Sequence, residues 1–227
     1  MSDPWFRLRS GPTDPALNMA IDQALLESAP DRGVPVLRCY SWDRPAASFG
    51  YFQRLADVSL LTTLRPLVRR STGGGVVPHD ADWTYSVVIP PEHPWYDVSA
   101  TESYERMHRW LRDAFERISV PTRLAPCCDP SGPGQCFVGA EKSDLLHGDR
   151  KIAGAAQRRN RLGLLIQGSI HPPAGADRPA FESALEQVAT LQHAAAWDDL
   201  PVTDRLLEQA RRINADIYAA EAHTARR

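Results

Sequence analysis

Three segments carry residue types that could do chemistry together. Cys136 follows residues 126–134, where Pro126, Pro130, Pro133, Gly132 and Gly134 interrupt any regular element, so a loop is expected to deliver it. A thiolate is both a nucleophile and a good thioester leaving group, which suits acyl transfer; the alternative is an inert, small, buried hydrophobe. Lys151 stands in Asp149-Arg150-Lys151-Ile152-Ala153-Gly154-Ala155-Ala156, a run of small residues after a tight turn. A ligand could lie against Gly154 and Ala155 there while the ammonium meets negative charge on a carbonyl oxygen; a solvated strand lysine is the competing account. Gly73, Gly74 and Gly75 lie between two β-type runs, so the backbone could approach a ligand and offer N–H donors, or form a flexible turn. No Gly-Lys-Ser/Thr closes that loop, and it does not open a helix with dinucleotide-site spacing.

The four cysteines are Cys39, Cys127, Cys128 and Cys136, better read as thiols than as a disulfide framework. Cys127, Cys128, Cys136 and His147 are close in sequence. Adjacent Cys127 and Cys128 nevertheless lack the two-residue gap usual between zinc thiolates, so no metal is expected.

These groups need elements to hold them. Asp14 as N-cap, Pro15, and Leu17, Ile21, Ala24 and Leu25 on one face predict an opening helix. Residues 34–40, 47–52, 67–70 and 83–89 read as strands, and a second helix follows with Ser99 and Glu102 at capping-box spacing. Hairpins turning at residues 147–149 and 160–163 carry the chain to residue 170, and helices are expected near 178–191 and 204–220. Without regular βαβ alternation the class is α+β: a mixed, largely antiparallel sheet flanked by helices, in one domain over residues 1–227.

Over 227 residues, 43% hydrophobic and 24% charged composition is that of a packed globular protein. A net charge of -2 gives no reason to expect nucleic acid. The N-terminal residues lack a basic, then apolar, leader, and apolar runs such as 162–166 are too short for a bilayer, so a cytoplasmic protein without membrane attachment is expected.

In order along the chain, Asn18-Met19-Ala20-Ile21-Asp22, Ser48-Phe49-Gly50-Tyr51-Phe52, residues 69–75 with His79 and Asp80, Trp83-Thr84-Tyr85-Ser86-Val87, and Gly148-Asp149-Arg150-Lys151-Ile152-Ala153-Gly154 resemble the biotin/lipoate protein ligase family. The resemblance covers roughly residues 14–170 and implies that family's α+β catalytic-domain fold. Cys136-Phe137 ahead of Lys151 is similar to the octanoyltransferases of the family that carry a cysteine there.

The resemblance implies an acyltransferase without cofactor, passing octanoyl from octanoyl-acyl carrier protein through a Cys136 thioester to a lysine of a lipoyl domain. The acceptors would be the E2 subunits of 2-oxoacid dehydrogenases or the glycine cleavage H protein. Cys136 and Lys151 would be catalytic, and Lys151 would favour the thiolate; Arg70, Gly73, Gly74, Gly75, His79, Gly154 and Ala155 would contact substrate. His79 is expected to order the glycine loop through Asp80, and Arg69 and Arg70 to meet the carrier's phosphopantetheine or acidic face. The alternatives are an ATP- and magnesium-dependent lipoate ligase, an amidotransferase between lipoyl domains, and a non-catalytic binding module. The ligase-type Asn-Asp pair is Ser143-Asp144 here, leaving Asp144 as the residue a metal would need.

Overall fold

The computed structural model describes residues 2–128, 136–137 and 139–226. Of the loop expected at 126–134, residues 129–134 therefore lie outside the described residues. The strands are β1 (Asp3–Thr13), β2 (Val36–Trp42), β3 (Ala46–Phe49), β4 (Leu67–Arg69), β5 (Val77–His79), β6 (Trp83–Ile89), β7 (Arg123–Leu124), β8 (Leu145–His147), β9 (Arg150–Asn160), β10 (Gly163–Ile170) and β11 (Ala195–Asp199). The helices are α1 (Pro15–Glu27), α2 (Ala29–Arg32), α3 (Leu55–Leu61), α4 (Pro94–Asp97), α5 (Ala100–Arg117), α6 (Arg178–His193), α7 (Asp204–Ile213) and α8 (Glu221–Thr224), with a π turn at Asn214–Tyr218.

Local chemistry starts the helices where the sequence signals them. The Asp14 carboxylate accepts the N–H groups of Ala16 and Leu17, and Pro15 occupies a position whose N–H would be unpaired. Ser99 Oγ accepts the Glu102 N–H at 3.1 Å to open α5. Beyond that cap, Met107, Leu111, Ala114 and Phe115 bury one face of the helix.

The described strands form an eight-stranded sheet in the order β11-β1-β2-β6-β10-β9-β8-β7. The β11-β1-β2 edge is parallel and every pairing from β2 to β7 is antiparallel. Successive residues of β10 alternate between two cores. Leu164, Ile166 and Ile170 pack towards α5 and α6, whereas Leu165 joins Leu25, Leu26 and Ala29 on the α1 side. The sheet is thus covered on both faces, as the mixed α+β expectation requires.

Three features depart from the sequence expectation. Strands β1 and β11 were not foreseen, because they carry charge on a sheet edge; Arg7 there pairs with Glu186 at 2.8 Å and Asp199 at 2.7 Å. Strands β4, β3 and β5 form a separate three-stranded sheet with its own core of Ala47, Phe49, Val58 and Val76. The helix expected over 204–220 stops at Ile213, and the π turn places Tyr218 against Met19, Ala20 and Val68. Among the described residues no helix is long and apolar enough to cross a membrane.

Candidate active site

The small sheet and the large sheet face each other across a cavity of about 540 Å³. Strands β3 and β5 supply Ser48 and His79 to its wall, the segment after β4 supplies Arg70, Gly74 and Gly75, and β9 supplies Lys151, Gly154 and Ala155. Cys136 and Phe137 complete one side, with Met19, Tyr40 and Trp42 adding apolar surface. Of the nine residues expected in the site, all but Gly73 line this space.

On the glycine-loop side, the Gly75 N–H donates to Cys136 Sγ at 3.0 Å, and the Cys136 N–H donates to the Val76 carbonyl at 3.1 Å. The loop is thereby tied to the cysteine through backbone and sulfur alike. Gly74 has φ +87, and a Cβ there would meet Arg70 Nη2 at 2.8 Å and Cys136 Sγ at 3.5 Å. One of the loop's N–H groups is thus engaged by the sulfur. Gly73 acts through its carbonyl, which accepts from Arg70 Nη2 at 2.6 Å.

Opposite, Lys151 Nζ lies 2.6 Å from Asp144 Oδ2, with the Asp144 side chain wholly buried. Asp144 Oδ1 accepts the Tyr104 hydroxyl, and Oδ2 also accepts the Glu141 N–H at 2.6 Å. Both carboxylate oxygens are thus engaged within the protein. A metal at Asp144 would have to displace one of these partners; among the described residues no group of three or more His, Cys, Asp and Glu is arranged to hold one. Burial and the Asp144 charge push the Tyr104 phenol well above its ordinary value, so Tyr104 is a fixed donor to the carboxylate. A Cβ at Gly154 would come within 3.0 Å of Lys151 Nζ and 3.2 Å of Asp144 Oδ1. The small residue expected to admit a ligand thus first admits the Lys151-Asp144 pair. The Lys151 ammonium also lies 5.3 Å from the centre of the Phe137 ring.

His79 is buried and bonded at both nitrogens, Nδ1 to Asp82 Oδ2 and Nε2 to Ser48 Oγ, each at 2.8 Å. Its ring stacks on Trp42 with centroids 3.9 Å apart. Its partner is Asp82 rather than the expected Asp80, which is exposed. Burial alone would raise the Asp82 carboxyl. His79 and the hydroxyls of Ser169 and Thr84 outweigh that and hold it below its ordinary value of 3.8.

The arginines also differ from expectation. Arg69 is 1% exposed and holds the carbonyls of Tyr51, Gln53, His223, Thr224 and Arg226, which binds the C-terminal segment to the small sheet. Arg70 is 4% exposed and reaches the carbonyls of Gly73 and Gly75 and the Ser48 hydroxyl. Neither is a surface side chain waiting for a carrier. An arginine pair beside a glycine loop reads as anion-binding in one dimension, and only packing reveals that the Arg69 donors go to backbone carbonyls while Arg70 stays on the cavity wall.

Sequence reasoning missed Ser48, Asp82, Tyr104 and the true partner of Asp144. One signal was available: a hairpin turning at residues 147–149 pairs Leu146 with Lys151 and so brings residue 144 close to the lysine. The tie between Ser48 and His79 crosses two strands of the small sheet and had no local signature.

Solved structures share this architecture. A lipoate-protein ligase A bound with ATP superposes with a TM-score of 0.80 at 21% identity over 99% of each chain. A bi-partite lipoate protein ligase from Thermoplasma acidophilum gives 0.76 at 18% identity, over 99% of this chain and 97% of its own. At these identities the likeness is one of fold, and it defines an α+β domain with the architecture of those structures. Residues 14–194 match the family described as lipoyl protein ligase A/B catalytic domain, and the chain belongs to that family. Among curated relatives, octanoyltransferase LipM of Staphylococcus aureus is 36% identical over 184 residues, 75% of this chain and 66% of its own length. Octanoyltransferase LipM of Moorella thermoacetica is 35% identical over 178 residues, 74% of this chain and 65% of its own. The chain thus spans just under two thirds of the length of these relatives.

Proposed function

We propose that this chain is a single-domain octanoyltransferase of lipoate biosynthesis, working without nucleotide or metal through a thioester on Cys136. The donor is octanoyl-acyl carrier protein, and the acceptor is a lysine of a lipoyl domain, on a dehydrogenase E2 subunit or the glycine cleavage H protein. The observation that carries this reading is a cysteine sulfur on the cavity wall, held by the Gly75 N–H at 3.0 Å, in a cavity that Lys151 also lines. Relatives with the octanoyltransferase name support it further.

In the first half-reaction the Cys136 thiolate attacks the acyl carbonyl; the new C–S bond forms as the carrier C–S bond breaks, and the carrier sulfur leaves and takes up a proton. In the second, the acceptor amine attacks, the C–N bond forms, Cys136 departs as thiolate, and the amine gives up the matching proton. Exchange between thioesters is close to neutral and amide formation runs downhill, so neither step needs ATP. Lys151 stabilises the oxyanion or relays the proton, with Asp144 holding it in place. The acyl chain occupies the apolar part of the cavity near Met19, Tyr40 and Trp42.

Intact-protein mass measurement after mixing with octanoyl-acyl carrier protein, with and without ATP, tests this. The expected result is an ATP-independent, hydroxylamine-sensitive octanoyl adduct that Cys136→Ala abolishes together with transfer. A strict ATP requirement, with the Ala variant active on free lipoate, would establish a ligase instead. Binding without turnover would establish a non-catalytic module.

A further inference from the structure

Arg70 is a buried cation, and among the described residues no carboxylate pairs with it. It donates to the carbonyls of Gly73 and Gly75 and to the Ser48 hydroxyl, all neutral. A guanidinium stays charged at any working pH, so one that is out of water and unmatched by an anion is costly unless a counter-ion is near. A group able to carry negative charge stands just across Gly74 from it: a Cβ at Gly74 would meet Arg70 Nη2 at 2.8 Å on one side and Cys136 Sγ at 3.5 Å on the other, and Arg70 Nη2 donates to the carbonyl of the same Gly75 whose N–H donates to that sulfur. Lys151 stands differently: its ammonium is matched at 2.6 Å by the wholly buried Asp144.

We propose that Arg70, together with the Gly75 N–H, forms the anion hole of the Cys136 sulfur, so that Arg70 rather than Lys151 is the counter-ion of the nucleophile. Lys151, neutralised locally by Asp144, is left for the carbonyl oxygen and the proton. The chain Asp82-His79-Ser48 positions the arginine. Asp82 accepts from His79, His79 meets Ser48, and Ser48 Oγ accepts Arg70 Nη1 at 3.2 Å. This Asp-His-Ser order resembles that of a hydrolase, but the serine oxygen is occupied by the arginine and serves to aim it.

The consequence for transfer rests on the acyltransferase reading above. When Cys136 is acylated its sulfur loses its charge, and Arg70 loses its counter-ion. The acyl-enzyme is therefore the state in which the cation is uncompensated. Attack by the acceptor amine breaks the C–S bond, returns the electron pair to sulfur as thiolate, and restores the pair with Arg70. One contact thus serves the sulfur as nucleophile in the first half-reaction and as leaving group in the second.

The test is the rate of Cys136 alkylation by iodoacetamide at fixed pH, read by peptide mapping so that exposed Cys127 and Cys128 do not contribute. Arg70→Gln should slow it by about tenfold or more, the worth of a charge-assisted hydrogen bond, and Lys151→Gln should slow it less. Arg70→Lys should recover part of the rate, and ethylguanidinium added to Arg70→Ala should recover some as well, which general loosening of the fold would not produce. Ser48→Ala, which removes a single bond to the guanidinium, should slow alkylation by about threefold, and it decides the matter if the Arg70 variants do not fold. A wild-type rate in folded Arg70→Gln, or in Ser48→Ala where it is the deciding variant, or a larger loss in Lys151→Gln, overturns the proposal. Alkylation does not require the acyl donor. An absent octanoyl adduct in the wild-type protein would therefore sink the transferase reading while leaving the Arg70 result to stand or fall separately.

Discussion

Asp144 Oδ2 and Lys151 Nζ form a buried ion pair 2.6 Å apart, and the strand glycine three residues after the lysine leaves the space for it. The carboxylate is fully satisfied by Tyr104, Glu141 and Lys151. Asp144→Asn keeps the shape and removes the charge that orients the lysine. Steady-state transfer assays should show a loss of about a hundredfold, in the range of a disrupted acid-base group, with circular dichroism unchanged. Transfer at wild-type rate would mean that the pair serves only the fold.

Behind this pair, His108 is wholly buried on α5, with Nδ1 donating to the Tyr104 carbonyl and Nε2 without a partner among the described residues. Burial pushes the imidazole down to about 4 from its ordinary 6.5, against the opposing pull of Asp144. A histidine whose folded value lies below its unfolded value favours folding above the unfolded value, and that contribution is lost as pH falls towards the folded value. Urea titrations should therefore show stability declining between pH 6.5 and about 4 by up to about 3 kcal/mol, and His108→Leu should flatten that decline.

Tyr85 and Gly168 are neighbours across β6 and β10, and a Cβ at Gly168 would sit 2.1 to 2.3 Å from the Tyr85 ring and hydroxyl. Gly168→Ala should cost about 1–3 kcal/mol in urea unfolding, because neither strand can move away without breaking the ladder. The Tyr85 hydroxyl is buried and has no partner among the described residues. Tyr85→Phe should therefore gain about 1 kcal/mol, and a loss of stability would contradict that account.

Arg38 and Asp22 are both wholly buried and bonded at 2.7 Å, with Asn18, Ser86 and Gln167 attached to the same pair. Arg38→Met strands the carboxylate and should cost about 3–5 kcal/mol. Adding Asp22→Leu should return part of that loss, since the unpaired charge is then gone. Gln167 also lines the cavity and is held by Thr72, so octanoyl binding should weaken in the single variant more than its lost stability explains.

Much of the fold was legible because its signals are local. Asp14 and Ser99 sit where their side chains reach the first free N–H groups of α1 and α5, and residues 147–149 can only turn. Strands β1 and β11 escaped because a parallel edge carrying Arg7 and Asp199 has neither alternation nor an apolar run. The site was half legible: Cys136, Lys151, Arg70 and the glycine loop stood out by type and spacing, while the burial of Arg70 and its bonds to the loop carbonyls and Ser48 came only with the fold.

Sequence by itself determined the family and the class of fold and singled out the candidate reactive groups, since these depend on residue type, cap chemistry and short-range order. Tertiary structure decided which charge faces which. Asp144 became the partner of Lys151, and Arg70 came to rest across Gly74 from the sulfur, with no carboxylate paired to it among the described residues. Such pairings depend on distance and desolvation between segments far apart in the chain, and both are set only when the two sheets close around the cavity.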